Sequence, residues 1–369
     1  MIKFGNDIVT VGGDWLKFGY LPRIYHVTVL AGQHGTATVN HTEGPTGTLV
    51  TISTSPDTGY ELDTISLTGA TLINGNQFYI EHSDVTVNVS FAAINYNPLN
   101  LPPYTMRFKF TNGFTPVSYV SGAVWTQVSS SPNVWDVTYS NSNWEYLLTG
   151  DEDDLLEVLG ANTSGVISMK GLFMQCPILT NVAIFDTSSV TNMDSMYSLC
   201  AALISIPRFD TSNVTNMHGM LAYSAITSVP LLDTANVTNM SNLFHGCSSL
   251  RTVPLLDTSS VTNMANMFWN CTALNSLPQF NTALVTDFSR FCTGCSSITE
   301  IPLLDTSHAT NVSEIFSGCR NVEHGALSLY RQLSTQSVPP SNHTYAFANC
   351  GADTVTGAAE LAQIPSDWK

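Results

Sequence analysis

An Asp-Thr dipeptide recurs at a nearly constant interval through the C-terminal half of this chain, and that interval limits the folds open to it. Asp186-Thr187, Asp210-Thr211, Asp233-Thr234, Asp257-Thr258, Asn281-Thr282 and Asp305-Thr306 stand 24, 23, 24, 24 and 24 residues apart. The same string surrounds each one and is complete from Leu250 to Cys271: spaced apolar residues, a proline, Asp-Thr-Ser, Val-Thr-Asn-Met, Met-Phe and a cysteine. A degenerate copy enters at Met169, Leu172, Phe173 and Cys176, and another leaves at Phe347 and Cys350. A unit this short cannot bury its own apolar side, whereas stacked copies bury it continuously. The period therefore predicts a solenoid of about six or seven coils.

Within one unit, Leu250, Val253 and Leu256 predict a short strand, which Pro254 keeps short because it cannot donate to a ladder. Asp257-Thr258-Ser259 predicts a turn closed by side-chain hydrogen bonds. Thr262 or Asn263 would then cap a short helix carrying Met264, Met267 and Phe268 at i, i+3 and i+4. This string resembles the BspA-like leucine-rich repeats of bacterial surface proteins and of gut-phage proteins, over residues 166–323. Copies depart from it at Ser224, where the cysteine is lost, and at Asn281, Asp287 and Phe288. The resemblance implies adhesion or recognition; it implies no catalytic residue and no shared ligand.

The N-terminal half carries a different signal. Tyr25–Val29, Thr36–Val39, Leu49–Ile52 and Asp84–Phe91 alternate apolar and polar residues, separated by Gly32, Gly35 and the turn sequence Pro56-Asp57-Thr58-Gly59-Tyr60. This run resembles the internalin B-repeat-like modules of bacterial surface proteins, which implies a small β spacer. From Tyr104 the segments Arg107–Phe110, Val124-Trp125 and Val134–Tyr139 predict more strands, followed by a helix from Asp151 to Leu159 with Thr149 and Glu152 as a capping pair. The predicted fold is multidomain and β-rich, with small β modules leading into an α/β leucine-rich-repeat solenoid. Its expected parts are an N-terminal arm (1–24), the β module (25–94), a linker (95–103), a β-rich cap (104–165), the solenoid (166–323) and a C-terminal capping region (324–369).

The cysteines invite chemistry and the repeat answers them. Cys292-x-x-Cys295 alone would suggest redox or zinc work. Cys176, Cys200, Cys247, Cys271, Cys295, Cys319 and Cys350 all fill one repeat slot, and Cys292 replaces the preceding phenylalanine. They read as small buried apolar residues, with a disulfide ladder between neighbouring slots left open. Asp151-Glu152-Asp153-Asp154 lacks the alternating oxygen donors of a calcium loop and suits a helix start. The stacked Asp186, Asp210, Asp233, Asp257 and Asp305 read as solvent-facing turn caps. No metal site, cofactor site or catalytic constellation can be named, so the expected function is non-enzymatic.

Charge narrows the partners. Lys plus Arg total 12 against 28 Asp plus Glu, a formal net charge of −16, which argues against nucleic acid and anionic membranes. No apolar run is long enough to span a bilayer. Binding is expected at variable, exposed repeat positions: Tyr223, His245 and Trp269 after the helical slot, and Arg208, Arg251, Gln279 and Glu300 beside the strand. Their expected ligand is a host-surface glycan or protein. Ile2, Phe4, Ile8, Val9 and Val11 are too few for a core and are expected to dock the arm on a larger assembly. Met1 opens no export signal, so a phage virion protein of fibre or decoration type is the first reading, its arm held by other virion proteins. A bacterial cell-surface adhesin is the alternative, and a carbohydrate-active enzyme has no carboxylate pair behind it. A homo-oligomer is compatible with a fibre, although no heptad specifies one.

Overall fold

The computed structural model describes residues 9–11, 14–16, 23–57, 60–73, 76–93, 99–116, 120–148 and 152–369. The chain divides into two units, Met1–Ile94 and Asn95–Lys369. It is β-rich, with several separate sheets.

In the first unit, β1 (Val9–Val11) and β2 (Asp14–Leu16) pair as an antiparallel hairpin. Seven strands follow: β3 (Ile24–Ala31), β4 (Gly35–Val39), β5 (Glu43–Pro45), β6 (Leu49–Pro56), β7 (Tyr60–Thr68), β8 (Gln77–Tyr79) and β9 (Val85–Ala93). They form one sheet in the order β5-β3-β9-β7 and another in the order β4-β6-β8. Alternation decides which face is buried. Tyr25 and Val27 of β3, Val50 and Ile52 of β6, and Val85, Val87 and Val89 of β9 point inward, joined by Phe78 and Ile80. The alternating runs of the sequence correspond to β3, β4, β6 and β9. The parallel pairing of β3 with β9, Val27 opposite Val85, joins the two ends of the module and has no local signature.

The second unit begins with a five-stranded sheet, order β11-β12-β10-β13-β14, made of β10 (Thr105–Phe110), β11 (Val124–Ser130), β12 (Asn133–Thr138), β13 (Leu155–Asn162) and β14 (Asn181–Val182). Arg107 on β10 grips Asp136 on β12 with two hydrogen bonds of 2.7 and 2.9 Å. The helix expected from Asp151 to Leu159 is not there. Glu152–Asp154 make a single 3₁₀ turn and Leu155–Asn162 form β13, while Thr149 and Asp151 lie outside the described residues. Two register shifts against β10 explain the misreading: they bury Leu155 and Val158 at a spacing of three, which mimics a helical face.

From Asn143 onward the repeats hydrogen-bond to one another in register. Parallel single-residue bridges join Asn143, Ser168, Asn192, Asn216, Asn239, Asn263, Asp287, Asn311 and Asn342 in succession. The first rung lies inside the segment expected to be a cap, where Trp144, Leu147 and Leu148 fill the slots held later by Met264, Met267 and Phe268. The regular sheet-like contact is thus at Val-Thr-Asn and not at the apolar triad. Leu250, Val253 and Leu256 are buried in extended backbone that forms no strand. The Arg251 N–H donates to the Thr227 carbonyl of the preceding repeat at 3.1 Å, and the Arg251 carbonyl accepts from Asn275 of the next at 3.2 Å.

The expected short helix is also replaced. Met264, Asn266, Phe268 and Asn270 donate their N–H groups across to Asp287, Ser289, Phe291 and Thr293 of the next repeat, at 2.8–3.0 Å. Met267, Trp269 and Cys271 instead donate back three residues. Left-handed backbone at Asn266 and Asn270 (φ 58° at both) breaks the helix every fourth residue and turns the donors along the stack. α-Helix among the described residues is confined to α1 (Ala326–Ser334) and α2 (Val355–Gln363), so the α/β expectation fails inside the repeats. At the C-terminal end, Trp368 is buried, stacks on His343 at 4.1 Å and accepts a backbone bond from Phe347.

Candidate functional site

The polar residues that recur through the repeats are spent on stacking and on closing turns. Thr187, Thr211, Thr234 and Thr258 are buried, and each hydroxyl donates at 2.7 Å to the carbonyl of Asp210, Asp233, Asp257 or Asn281 in the next repeat. The carboxylates of Asp257 and Asp305 accept from the backbone of Ser259 and Ser307, and the serine hydrogen bonds hold both acids below the usual carboxylate range. Asn216, Asn239 and Asn263 accept from the N–H two residues on.

All eight cysteines are free and buried. The thiols of Cys200, Cys247, Cys271 and Cys295 donate to the carbonyls of Phe173, Leu221, Phe244 and Phe268 in the preceding repeat, at 3.0–3.1 Å. Burial pushes the Cys200 thiol up to about 12 and the Cys247 thiol up to about 11. Such thiols are poor nucleophiles and poor metal ligands. Ser224, the copy without a cysteine, uses its hydroxyl on the Leu221 carbonyl at 2.6 Å. Among the described residues no group of three or more His, Cys, Asp or Glu side chains is placed to hold a metal ion.

What remains for recognition are the variable positions, and they fall on two faces. On the turn face, Tyr223, His245 and Trp269 come into contact. Tyr223 and His245 have ring centroids 4.6 Å apart, with the phenol oxygen 3.1 Å from His245 Nε2. His245 and Trp269 stack at 4.4 Å and 8°. The sequence reading missed the continuation: Arg290 lies over the Trp269 ring at 5.3 Å and pairs with Glu314 at 2.8 Å. Side chains from five successive repeats thus touch in a line. Its signal was available in the repeat, since Arg290 and Glu314 fill a slot that holds Gly219, Asn242 or Asn266 in other copies.

This line has a backbone cost. Tyr223, Arg290 and Glu314 are left-handed (φ 57°, 51° and 55°), as are Gln175 and Leu199 (63° and 65°), where other repeats use Gly or Asn. Tyr223 leans over Gly246, where a Cβ would come within 2.5 Å of the ring. His245 and Arg290 both lie against the Trp269 ring, and the indole is half-buried. Tyr223 is 49% exposed. His245 is buried, and its burial lowers its affinity for a proton.

On the opposite, extended face, Arg251, Gln279 and Glu300 are exposed and Arg208 is half-buried. The slot of Arg208 and Gln279 continues through Leu231, Leu255 and Leu303, all exposed. Each of those leucines precedes a leucine that is buried. Gln279 and Glu300 share one depression, to which Arg208 and Arg251 do not contribute. Of the arm residues, Ile2, Phe4 and Ile8 lie outside the described residues, and Val9 and Val11 lie on β1. No helix among the described residues is long and apolar enough to cross a membrane.

Comparison with known families divides the chain along similar lines. Residues 151–227 and 224–330 match the model of a family described as a Mycoplasma protein of unknown function, DUF285. Residues 25–95 match the divergent InlB B-repeat domain. These matches support the BspA-like and internalin-like resemblances and, taken together, suggest a surface-associated repeat protein. No curated protein and no solved structure matches the chain.

Proposed function

We propose that this chain is a non-catalytic display protein whose repeats form a solenoid of leucine-rich-repeat type and present the turn face to a glycan or protein on another surface. The observation that carries this reading is the division of labour among side chains. Recurrent threonines and cysteines bind the repeats together and recurrent asparagines and aspartates close their turns, while Tyr223, Arg290 and Glu314 hold large side chains at left-handed backbone angles. Strain kept in adjacent repeats and not relieved by Gly or Asn marks a surface with a use. The internalin-type module serves as a spacer, and residues 1–24 serve as the attachment.

The carrier has two readings. One is a virus particle, in which the arm binds other virion proteins. Both matched domain models favour a bacterial surface instead, and the DUF285 description names a cellular organism. We take the cell surface as the better supported carrier. Fractionating native material separates the two, because co-purification with capsids would refute the cellular assignment. For binding, the full chain is applied to glycan panels and to intact cells. Tyr223→Ala and Arg290→Ala are expected to abolish most retention, and retention equal to the parent chain in both variants would refute the turn-face assignment.

A further inference from the structure

The extended face is regular until α1 interrupts it, and the interruption builds a groove. Between Asn311 and Asn342 the stack takes 31 residues for one rung where other rungs take 23–25, and the surplus forms α1. Gly325 seats the helix against the preceding repeat. Its φ is 103°, and a Cβ there would lie 2.7 Å from the Ile301 carbonyl oxygen. Gln332 then donates to the Leu304 carbonyl at 2.7 Å, and Gln336 to that of Thr306 at 2.9 Å. Leu329 and Leu333 are buried beneath. The wall is therefore fixed before any ligand arrives.

Three contiguous depressions of about 440, 470 and 430 Å³ open beside this helix and meet at Leu303. Leu303 is 73% exposed and stands between them as an apolar knob. Glu300 and Asp305 are the only charged residues that line them. Glu300 has no hydrogen-bond or ion-pair partner among the described residues, in contrast to the recurrent polar groups of the stack. Asp305 accepts from Ser307 through Oδ1. Arg251, one repeat back from Asn275, does not reach the lining.

We propose that this groove is a second binding site, separate from the turn face, and that it takes an extended peptide segment whose same-side residues, at i, i+2 and i+4, run cationic, apolar and cationic. Two carboxylates flank a leucine across the groove. An extended peptide presents same-side residues at intervals of about 7 Å, close enough to set a cation on Glu300, an apolar group on Leu303 and a second cation near Asp305. A neutral glycan brings hydroxyl donors but no charge to pair with either carboxylate, and little to an exposed leucine. The preformed wall keeps the ordering cost on the peptide alone.

Fluorescence anisotropy of a labelled Lys-Ser-Leu-Ser-Lys peptide with the full chain, against a Glu-for-Lys counterpart (the Glu-Leu peptide), tests the assignment. Binding is expected to weaken as salt rises, to fall about tenfold or more in Glu300→Gln and in Leu303→Ser, and to stay unchanged in Tyr223→Ala. Both altered residues are exposed, so thermal midpoints should match the parent chain and exclude unfolding as the cause. Glu61→Gln, in the first unit, controls for attraction to the net negative charge. Equal weakening in Glu61→Gln, equal binding of a Glu-Leu peptide, or an amino-sugar oligomer bound through Glu300 in place of the peptide would each overturn the proposal. Because the turn face is untouched by these variants, failure here leaves the reading of that face standing, and the reverse holds.

Discussion

Two regions of this chain cover a β-rich interior by different means. Residues 23–93 build two sheets whose inward side chains form a core of nine buried residues, while outward positions are largely free to vary. The repeats from Asn143 to Asn342 also bury apolar side chains, but each unit is locked to its neighbours by backbone and side-chain hydrogen bonds at every turn. In the first region a recurring pattern means burial. In the second, recurrence of a polar residue means a bond to the next repeat or across a turn of its own, so recurrence there is evidence of structure and variation is the guide to function.

The sharpest break between them is expected from core truncation in the smaller unit. Phe78 is fully buried among only nine such residues, and Phe78→Ala should cost about 3–5 kcal/mol. That is enough to unfold the module while the repeats keep their own transition. Calorimetry should show the low-temperature component lost; a shift of both components together would make the units one cooperative body.

A polar substitution should reverse the ranking. Thr258→Val keeps the shape of a buried residue and strands the Asn281 carbonyl, costing about 1–3 kcal/mol. Thr28→Val, on an exposed position of β3, should stay within about 0.5 kcal/mol. Chemical denaturation measures both, and similar costs at the two sites would dissolve the distinction drawn between the regions.

A gain is expected where the repeats carry strain. Leu199 holds φ 65° at 39% exposure, so Leu199→Asn relieves backbone strain and uncovers little. Stabilisation of about 0.5–1 kcal/mol should follow. Tyr223→Asn should gain less, because it also gives up the contacts with His245. If Leu199→Asn destabilises the chain, the left-handed slot is not a cost and the functional reading of its large side chains loses its footing.

These regions also differ in how much of them could be read from the sequence. Alternation located four strands of the first unit, since burial on one face imposes a period of two that survives in the residues themselves. The repeat was legible for the same reason at a longer period, and it correctly reduced seven cysteines to one slot. The backbone inside the repeat was not legible. Met264, Met267 and Phe268 have helical spacing, but the left-handed residues between them redirect the donors to another repeat, and that competition lies in contacts 23–25 residues away. β13 was misread because bulges against β10 shift a strand into helical spacing. Of the positions expected to be exposed, Tyr223 is, whereas His245 is buried and Trp269 half-buried, and the contact of Trp269 with Arg290 was not legible because it runs across repeats at a different slot.

The smallest effect isolates that aromatic line from the rest of the molecule. His245 is enclosed by Tyr223 on one side and Trp269 on the other, with Arg290 beyond the indole, and burial lowers its pKa from the ordinary value of about 6.5. The unfolded chain therefore takes up the proton first as pH falls, and stability declines wherever the unfolded state binds more protons. Between pH 6.5 or so and the lower folded value, acidification should cost stability; above that window the residue contributes no slope. His245→Phe keeps a ring in the stack and cannot titrate. The thermal midpoint of the repeats should fall more in the parent chain than in this variant on going from about pH 7.5 to about pH 5.5. Equal falls would mean that the imidazole protonates freely in place, and the closed stack on the turn face would then have to open to water.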